Sequence, residues 1–189
     1  MANFTDFTVL VSNFVPNVPE FVVGRAGQQC AQDFLGRTTL LTTTISLTTI
    51  VDEHNYKLST NVSDTFINHI LSVTNANGKA VDYTERGDQI TLLNAPQQVE
   101  TLTIEAALNL TVDALEIPDD LYHRYSMVFR YGTIAILKSQ ESTKWSDPQG
   151  YVGYMQKYEQ EINQVKILDH TFNNSMLIEL PTRLENYHG

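Results

Sequence analysis

Cys30 is the single cysteine of this 189-residue chain. A catalytic thiol needs a nearby histidine and a positive surrounding. Cys30 instead falls on an apolar stripe, Val23, Gly27, Cys30 and Phe34, spaced 4, 3 and 4 apart, which assigns it to core packing. A lone cysteine forms no intramolecular disulfide and no cysteine-based zinc site. The five histidines are His54, His69, His123, His170 and His188, and none belongs to an H-E-x-x-H or H-x-H pattern. Asp52, Glu53 and His54 could offer metal ligands, but three adjacent residues do not readily face one ion, and a solvated turn is expected. The chain has no Gly-rich phosphate loop and no G-x-S-x-G elbow. The paired carboxylates Asp119/Asp120 and Glu159/Glu161 read as helix N-terminal charge and as a solvated helix face. No constellation for catalysis, cofactor or metal binding stands out, so the expectation is a protein that is not an enzyme.

Tyrosine offers different chemistry. Tyr122, Tyr125, Tyr131, Tyr151, Tyr154 and Tyr158 crowd the last third of the chain. Tyr125 and Tyr158 fall on apolar stripes and read as core. Tyr122, Tyr131 and Tyr154 lie off them, and either face a partner, where tyrosine is favoured, or sit half-buried under loops. The charge balance is 22 acidic against 12 basic residues, or −10, which argues against reading nucleic acid and against binding an anionic membrane surface. Charged residues make up 18% of the chain, below the usual figure of about 25%, and Thr, Asn and Gln fill the difference. Such a surface suits a subunit covered by its neighbours. The sequence shows no signal-peptide pattern and no apolar run long enough to span a membrane. Triplets of the N-glycosylation type at Asn3, Asn61, Asn109 and Asn173 read as chance in an Asn- and Thr-rich chain.

The elements that position these residues fall into five stretches. Residues 1–18 read as an N-terminal arm, held extended near Pro16 and Pro19. Residues 19–36 read as a helix led by Pro19 and Glu20 and stopped by Gly36. Residues 39–112 are rich in Thr, Val, Ile and Leu, with turn signals at Asn77-Gly78 and Gly87-Asp88, and predict about six short strands in a small antiparallel sandwich or barrel. Residues 118–140 read as one helix opened by Pro118 and two aspartates, with Leu121, Tyr125, Val128, Gly132 and Ala135 on its apolar stripe. Residues 146–167 read as a second helix, with Ser146 and Gln149 as a capping box and a seam of Tyr151, Met155, Tyr158, Ile162 and Val165. A short polar linker makes these two helices an antiparallel hairpin. Residues 168–189 read as a C-terminal arm carrying an apolar patch at Met176, Leu177, Ile178 and Leu180. The fold class is therefore α+β: a helical part with an inserted β segment and extended terminal arms.

The order of these parts, with its residues, resembles the head–tail adaptor (connector) proteins of tailed bacteriophages. The matching positions in the late helices are Pro118, Asp119, Leu121, Tyr125, Gly132, Ala135, Leu137, Trp145, Pro148, Tyr154, Tyr158 and Ile162. Earlier, "FVPNVPE" and "GRAGQQCAQDFLGRT" resemble the family's proline-bracketed lead-in and first helix, and "YKL" at Tyr56–Leu58 its first marked strand. The likeness covers roughly residues 14–167, treated as a single adaptor domain over 19–167. The linker "SQEST" departs from the turn expected there, and residues after 168 have no counterpart.

The resemblance implies a virion protein of the head–tail junction, made in the host cytoplasm. Its subunits form a ring, usually of twelve, beneath the portal protein. The ring extends the DNA channel, and a tail nozzle or tube protein docks on it. It implies no catalytic residue and no cofactor. DNA would cross without sequence-specific binding, which an acidic lumen favours. Other readings are another phage neck or tail subunit, a carbohydrate-binding adhesion module, and a small enzyme. At residue level, Trp145 is expected to pack against the base of the helix pair and Gly132 to permit a close crossing with the first helix at Gly24 and Gly27. Met176, Leu177, Ile178 and Leu180 are expected to dock on the portal or a neighbouring subunit.

Overall fold

In a computed structural model, the backbone of residues 1–175 and the side chains of residues 1–167 are described. The chain mixes helices with small antiparallel sheets. Two apolar cores organise it, one helical and one among the strands.

The first residues depart from the expected arm. Ala2–Asn3 (β1) pairs antiparallel with Glu116–Ile117 (β8), a 3-10 turn covers Phe4–Asp6, and Phe7–Val11 (α1) follows. Phe4, Phe7, Val11 and Val15 recur at helical spacing, and all four are buried in the helical core. Asn3 and Asp6 form a capping box that starts the turn. The chain then reverses at Asn17, whose φ of 63° lies in the left-handed region that asparagine tolerates.

Glu20–Arg37 (α2) buries Val23, Ala26, Cys30, Ala31, Phe34 and Leu35. Thr38 closes it, its hydroxyl donating to the Phe34 carbonyl at 2.9 Å. Six strands follow: β2 (Thr42–Thr48), β3 (Asn55–Lys57), β4 (Thr65–Asn75), β5 (Tyr83–Arg86), β6 (Gln89–Leu92) and β7 (Thr101–Leu110). They form two three-stranded antiparallel sheets, ordered β2-β7-β4 and β3-β6-β5. Ile67, Ile70, Leu102, Ile104 and Leu108 of the first sheet share one core with Tyr56, Ile90 and Leu92 of the second. Gly78 and Gly87 take φ of 73° and 61° at the turns signalled in the sequence.

The two cores join where β7 meets α2. Asn109 Nδ2 donates to the Gln32 carbonyl at 3.1 Å, Gln32 Nε2 to the Thr111 carbonyl at 2.8 Å, and Gln28 Nε2 to the Val112 and Ala114 carbonyls at 2.7 and 2.8 Å. The two glutamine amides satisfy carbonyls of a loop that has left the ladder, and the Asn109 amide reaches back to the helix.

The helix expected over 118–140 is two. Asp119–Arg124 (α3) ends at Tyr125, whose φ and ψ of −109° and 26° are not helical, and Ser126–Lys138 (α4) begins after it. The last helix, Pro148–Ser175 (α5), starts two residues later than expected and runs eight residues into the stretch assigned to the C-terminal arm. Ser146 does not cap it. Asp147 does, its Oδ1 accepting the Gly150 N–H at 2.9 Å. Met176, Leu177, Ile178 and Leu180 lie outside the described residues.

Candidate functional site

Cys30 sits fully buried between α2 and α4, its Sγ 3.9 Å from the Val128 and Phe129 carbonyls. Burial pushes its thiol up to about 12, the reverse of what a nucleophile needs. Among the described residues, no group of three or more His, Cys, Asp or Glu side chains comes together as a metal site. Asp52 lies in a turn with φ of 62°, and His54 Nδ1 lies 2.8 Å from the Leu92 carbonyl. No described helix is long and apolar enough to cross a membrane.

The densest side-chain chemistry is a clasp between α2 and α5. Arg37 holds Glu159 by two parallel bonds, Nη1 to Oε1 at 2.8 Å and Nη2 to Oε2 at 2.5 Å, and reaches Asp33 at 3.3 Å. The buried Tyr158 hydroxyl donates to Asp33 Oδ2 at 2.8 Å. The hydrogen bond from Arg37 holds the Glu159 carboxyl below its ordinary range, while burial raises the Tyr158 phenol. Glu159 is therefore more than part of a solvated face: it ties α5 to the end of α2. The Asp33/Arg37 spacing of four was visible in the sequence, whereas the third partner, 122 residues away from Arg37, was not.

Gly132 lies one layer inside. A Cβ there would press on Cys30 Sγ and stand 2.8 and 2.9 Å from two ring carbons of Tyr158. The close crossing with α2 is therefore present, but through Cys30. Gly24 and Gly27 face elsewhere: Gly24 toward Phe4 and Thr5, Gly27 against the Phe7 ring. Pro118 is the N-cap of α3. Tyr125 sits at the break before α4, its ring 5.2 Å from that of Phe34, and is half-buried at the helical core.

The off-stripe tyrosines are half-buried and already engaged. Tyr122 packs 5.3 Å from Phe7 and donates to the Asp6 carbonyl at 3.2 Å. Tyr131 and Tyr154 lie 6.2 Å apart, with Lys157 Nζ 5.5 and 5.3 Å from their rings. Phe14 leans edge-on against Tyr154 at 6.3 Å. Beside them, at the start of α5, a cleft of about 340 Å³ is lined by Phe14, Pro16, Lys138, Lys144, Trp145 and Asp147. Trp145 is half-buried there, donating to Gln140 Oε1 at 3.0 Å. Lys138 pairs with Asp147 at 2.7 Å and so joins α4 to the start of α5. The lowered Asp147 carboxyl follows first from that hydrogen bond, then from the Gly150 N–H.

Apolar surface remains in two other places. Phe21, Val112 and Leu115 are 67%, 80% and 70% exposed around a second cleft of about 310 Å³. Ile50, Leu93 and Val99 are also exposed, at the end of the β segment away from α2. The first cleft brings Lys138, Lys144 and Asp147 beside aromatic side chains, and the second sets Arg25 and Asp113 beside exposed apolar ones. No protein-family model matches the chain, and no curated protein matches it.

Proposed function

We propose that this chain is a structural virion protein: the subunit of a head–tail adaptor ring that docks beneath a phage portal, extends the DNA channel and offers the tail its attachment surface. In this reading the helical core carries an antiparallel helix hairpin, α4 against α5. The two sheets form a small sandwich inserted between α2 and α3. The observation that carries the proposal is the order of parts around one crossing: a proline-bracketed lead-in, a first helix, a β segment, then late helices locked to the first helix at Gly132. Those positions are the ones through which the chain resembles the adaptor family.

The electrostatics support the role. A chain at −10 repels DNA, so a lumen lined by such subunits lets the duplex slide without sticking. The side chains most able to do chemistry are spent on cohesion, Cys30 in the core and Glu159 on Arg37. The partners are further copies of the chain in a ring, probed first as a dodecamer, the portal protein above and a nozzle or tube protein below. No cofactor, catalytic step or membrane enters the proposal, and the place of action is the virion's head–tail junction.

The test is the mass of the purified protein by light scattering, alone and mixed with portal rings. A ring-sized particle or portal-dependent assembly supports the adaptor. A particle that stacks into open tubes points to a tail-tube subunit, and a monomer that binds glycans removes both.

A further inference from the structure

We infer that the cationic, aromatic face shared by α4 and α5 is a docking surface for a second copy of this chain, which brings to it the exposed acids of residues 113–120. The inference rests on the ring reading and names a contact that would close the assembly.

Charge is unevenly spread along the chain. Residues 124–167 hold six of the twelve Lys and Arg against four acids, a net +2 in a chain at −10, which leaves −12 for the other residues. The cations gather on one set of neighbouring aromatic side chains. Arg130 Cζ lies 5.9 Å from the centre of the Phe14 ring, Lys138 Nζ 5.8 Å from that of Tyr154, and Lys157 Nζ 5.5 and 5.3 Å from those of Tyr131 and Tyr154. Exposed Lys144 lines the adjoining cleft with Phe14 and Trp145, and the acid there, Asp147, is held by Lys138 at 2.7 Å. Aromatic faces orient cations without cancelling their charge. Among the described residues, Arg130, Lys144 and Lys157 pair with no carboxylate, and the buried Arg130 Nε finds no acceptor.

The complement precedes α4. Asp113, Glu116, Asp119 and Asp120 fall within eight residues that hold no Lys or Arg, and all four are exposed. Asp119 holds the Met1 ammonium at 2.6 Å, whereas the other three pair with no cation among the described residues. The strands offer a poorer match. Asp82, Glu85 and Asp88 are interrupted by Arg86, Glu85 accepts the Ile70 N–H at 2.7 Å, and Asp88 pairs with Lys57 at 3.4 Å. The acids of residues 113–120 and the cations are separate surfaces. The acids lead through β8 and α3 into the start of α4, whereas the cations run from Arg130 to Lys138 at its end and on to Lys144.

Each copy therefore gives one surface and accepts the other. Such a head-to-tail contact closes rings, whereas a surface that pairs with itself stops at a two-fold dimer. Side chains already held against aromatic faces lose little freedom on binding, and Tyr, Trp and Arg are the residues enriched at interfaces. Acid facing acid repels, so the opposed charges also fix which surfaces meet.

The test compares two full-length charge reversals, Lys144→Glu/Lys157→Glu and Glu116→Lys/Asp120→Lys, by light scattering and thermal melts. Each alone should lose the ring-sized species with an unchanged melt, because like charges then face each other. An equimolar mixture should recover it, because reversed surface meets reversed surface and the unaltered pair still matches. Neutral versions, Lys144→Gln/Lys157→Gln and Glu116→Gln/Asp120→Asn, disturb the fold least and should each move assembly to severalfold higher protein concentration. Raising salt from about 0.1 M to about 1 M shortens the screening length from about 10 to about 3 Å and should shift the parent toward smaller particles; an unmoved distribution would refute the contact. Assembly of either reversal at the parent level would overturn the inference while leaving the ring reading standing. Loss without recovery on mixing, in variants whose melts are unchanged, would show that these two surfaces are not partners. A Lys144→Glu/Lys157→Glu chain that forms rings but no longer joins portal rings would overturn it in favour of a portal contact. Particles that never exceed a monomer, alone or with portal, would remove the ring reading and the inference together.

Discussion

Replacing Gly132 by alanine tests the crossing on which the helical core depends. In an isolated helix the change stabilises by up to about 1 kcal/mol, because glycine is the poorer helix former. Here the new methyl would press on Cys30 Sγ and lie 2.8 Å from the Tyr158 ring. Neither neighbour can easily give way. Cys30 is fully buried on α2, and Tyr158 is held by its bond to Asp33. Overpacking of this kind costs about 1–3 kcal/mol, so the upper half of that range outweighs the propensity gain. The expected net loss is about 1–2 kcal/mol, or roughly 2–8 °C in melting temperature for a chain of this size. Urea denaturation followed by circular dichroism measures it. The double variant Gly132→Ala/Cys30→Ala separates crossing from propensity, because removing the sulfur makes room for the methyl. The two substitutions should then couple by about 1 kcal/mol, above the few tenths expected of independent sites. A stabilised Gly132→Ala, or a pair that simply adds, would refute the close-crossing argument.

Three further expectations use the same contacts. Glu159 has its carboxyl lowered by Arg37, so its contribution to stability is present above the unfolded pKa, about 4.3, and is lost as pH falls through the folded value; Glu159→Gln should flatten the acid side of the stability–pH curve below that point and leave its alkaline side unchanged. Cys30, raised to about 12 and fully buried, should not react with a thiol reagent at pH 8 in the folded protein and should release one equivalent per chain in urea. Trp145 is half-buried, so Trp145→Ala should cost about 1–2 kcal/mol, less than the 3–5 of a fully buried tryptophan, and a melt indistinguishable from the parent would show that it does not brace the start of α5.

The sequence was most readable where one period ran unbroken. The α2 stripe, the Asn77-Gly78 turn and the number of strands between residues 39 and 112 followed from spacing and turn chemistry. It misled where a signal had two meanings. Phe4, Phe7, Val11 and Val15 have helical spacing, yet Pro16 and Pro19 suggested an extended arm; Gly27 leaves room for the Phe7 ring, a fact no local pattern contains. The stripe through Leu121, Tyr125 and Val128 continued across a break in the helix, because one non-helical residue does not disturb apolar spacing enough to be seen. At the start of α5, Ser146 and Gln149 looked like a capping pair, but the acceptor is Asp147, which also has Lys138 within reach. The Arg37–Glu159 clasp joins residues far apart in the chain, beyond any reading of spacing.

Charge is matched inside the subunit in both halves, Lys57 with Asp88 among the strands. In the helical core, charge is matched inside the subunit: Arg37 with Asp33 and Glu159, Lys138 with Asp147. The Arg37–Glu159 and Lys138–Asp147 pairs join separate elements, and the chain keeps an excess of acid overall. Copies at −10 each repel one another, and bringing them together costs least where a surface carries no charge. Residues 38–51 carry no charge, and they include β2, a seven-residue strand at the edge of its sheet. A freely soluble monomer gains nothing from such an edge and risks aggregation through it. Under the proposed ring reading, the Thr-rich stretch and the acidic balance would serve one end: copies would meet at uncharged or complementary surfaces while the rest of each subunit repels nucleic acid.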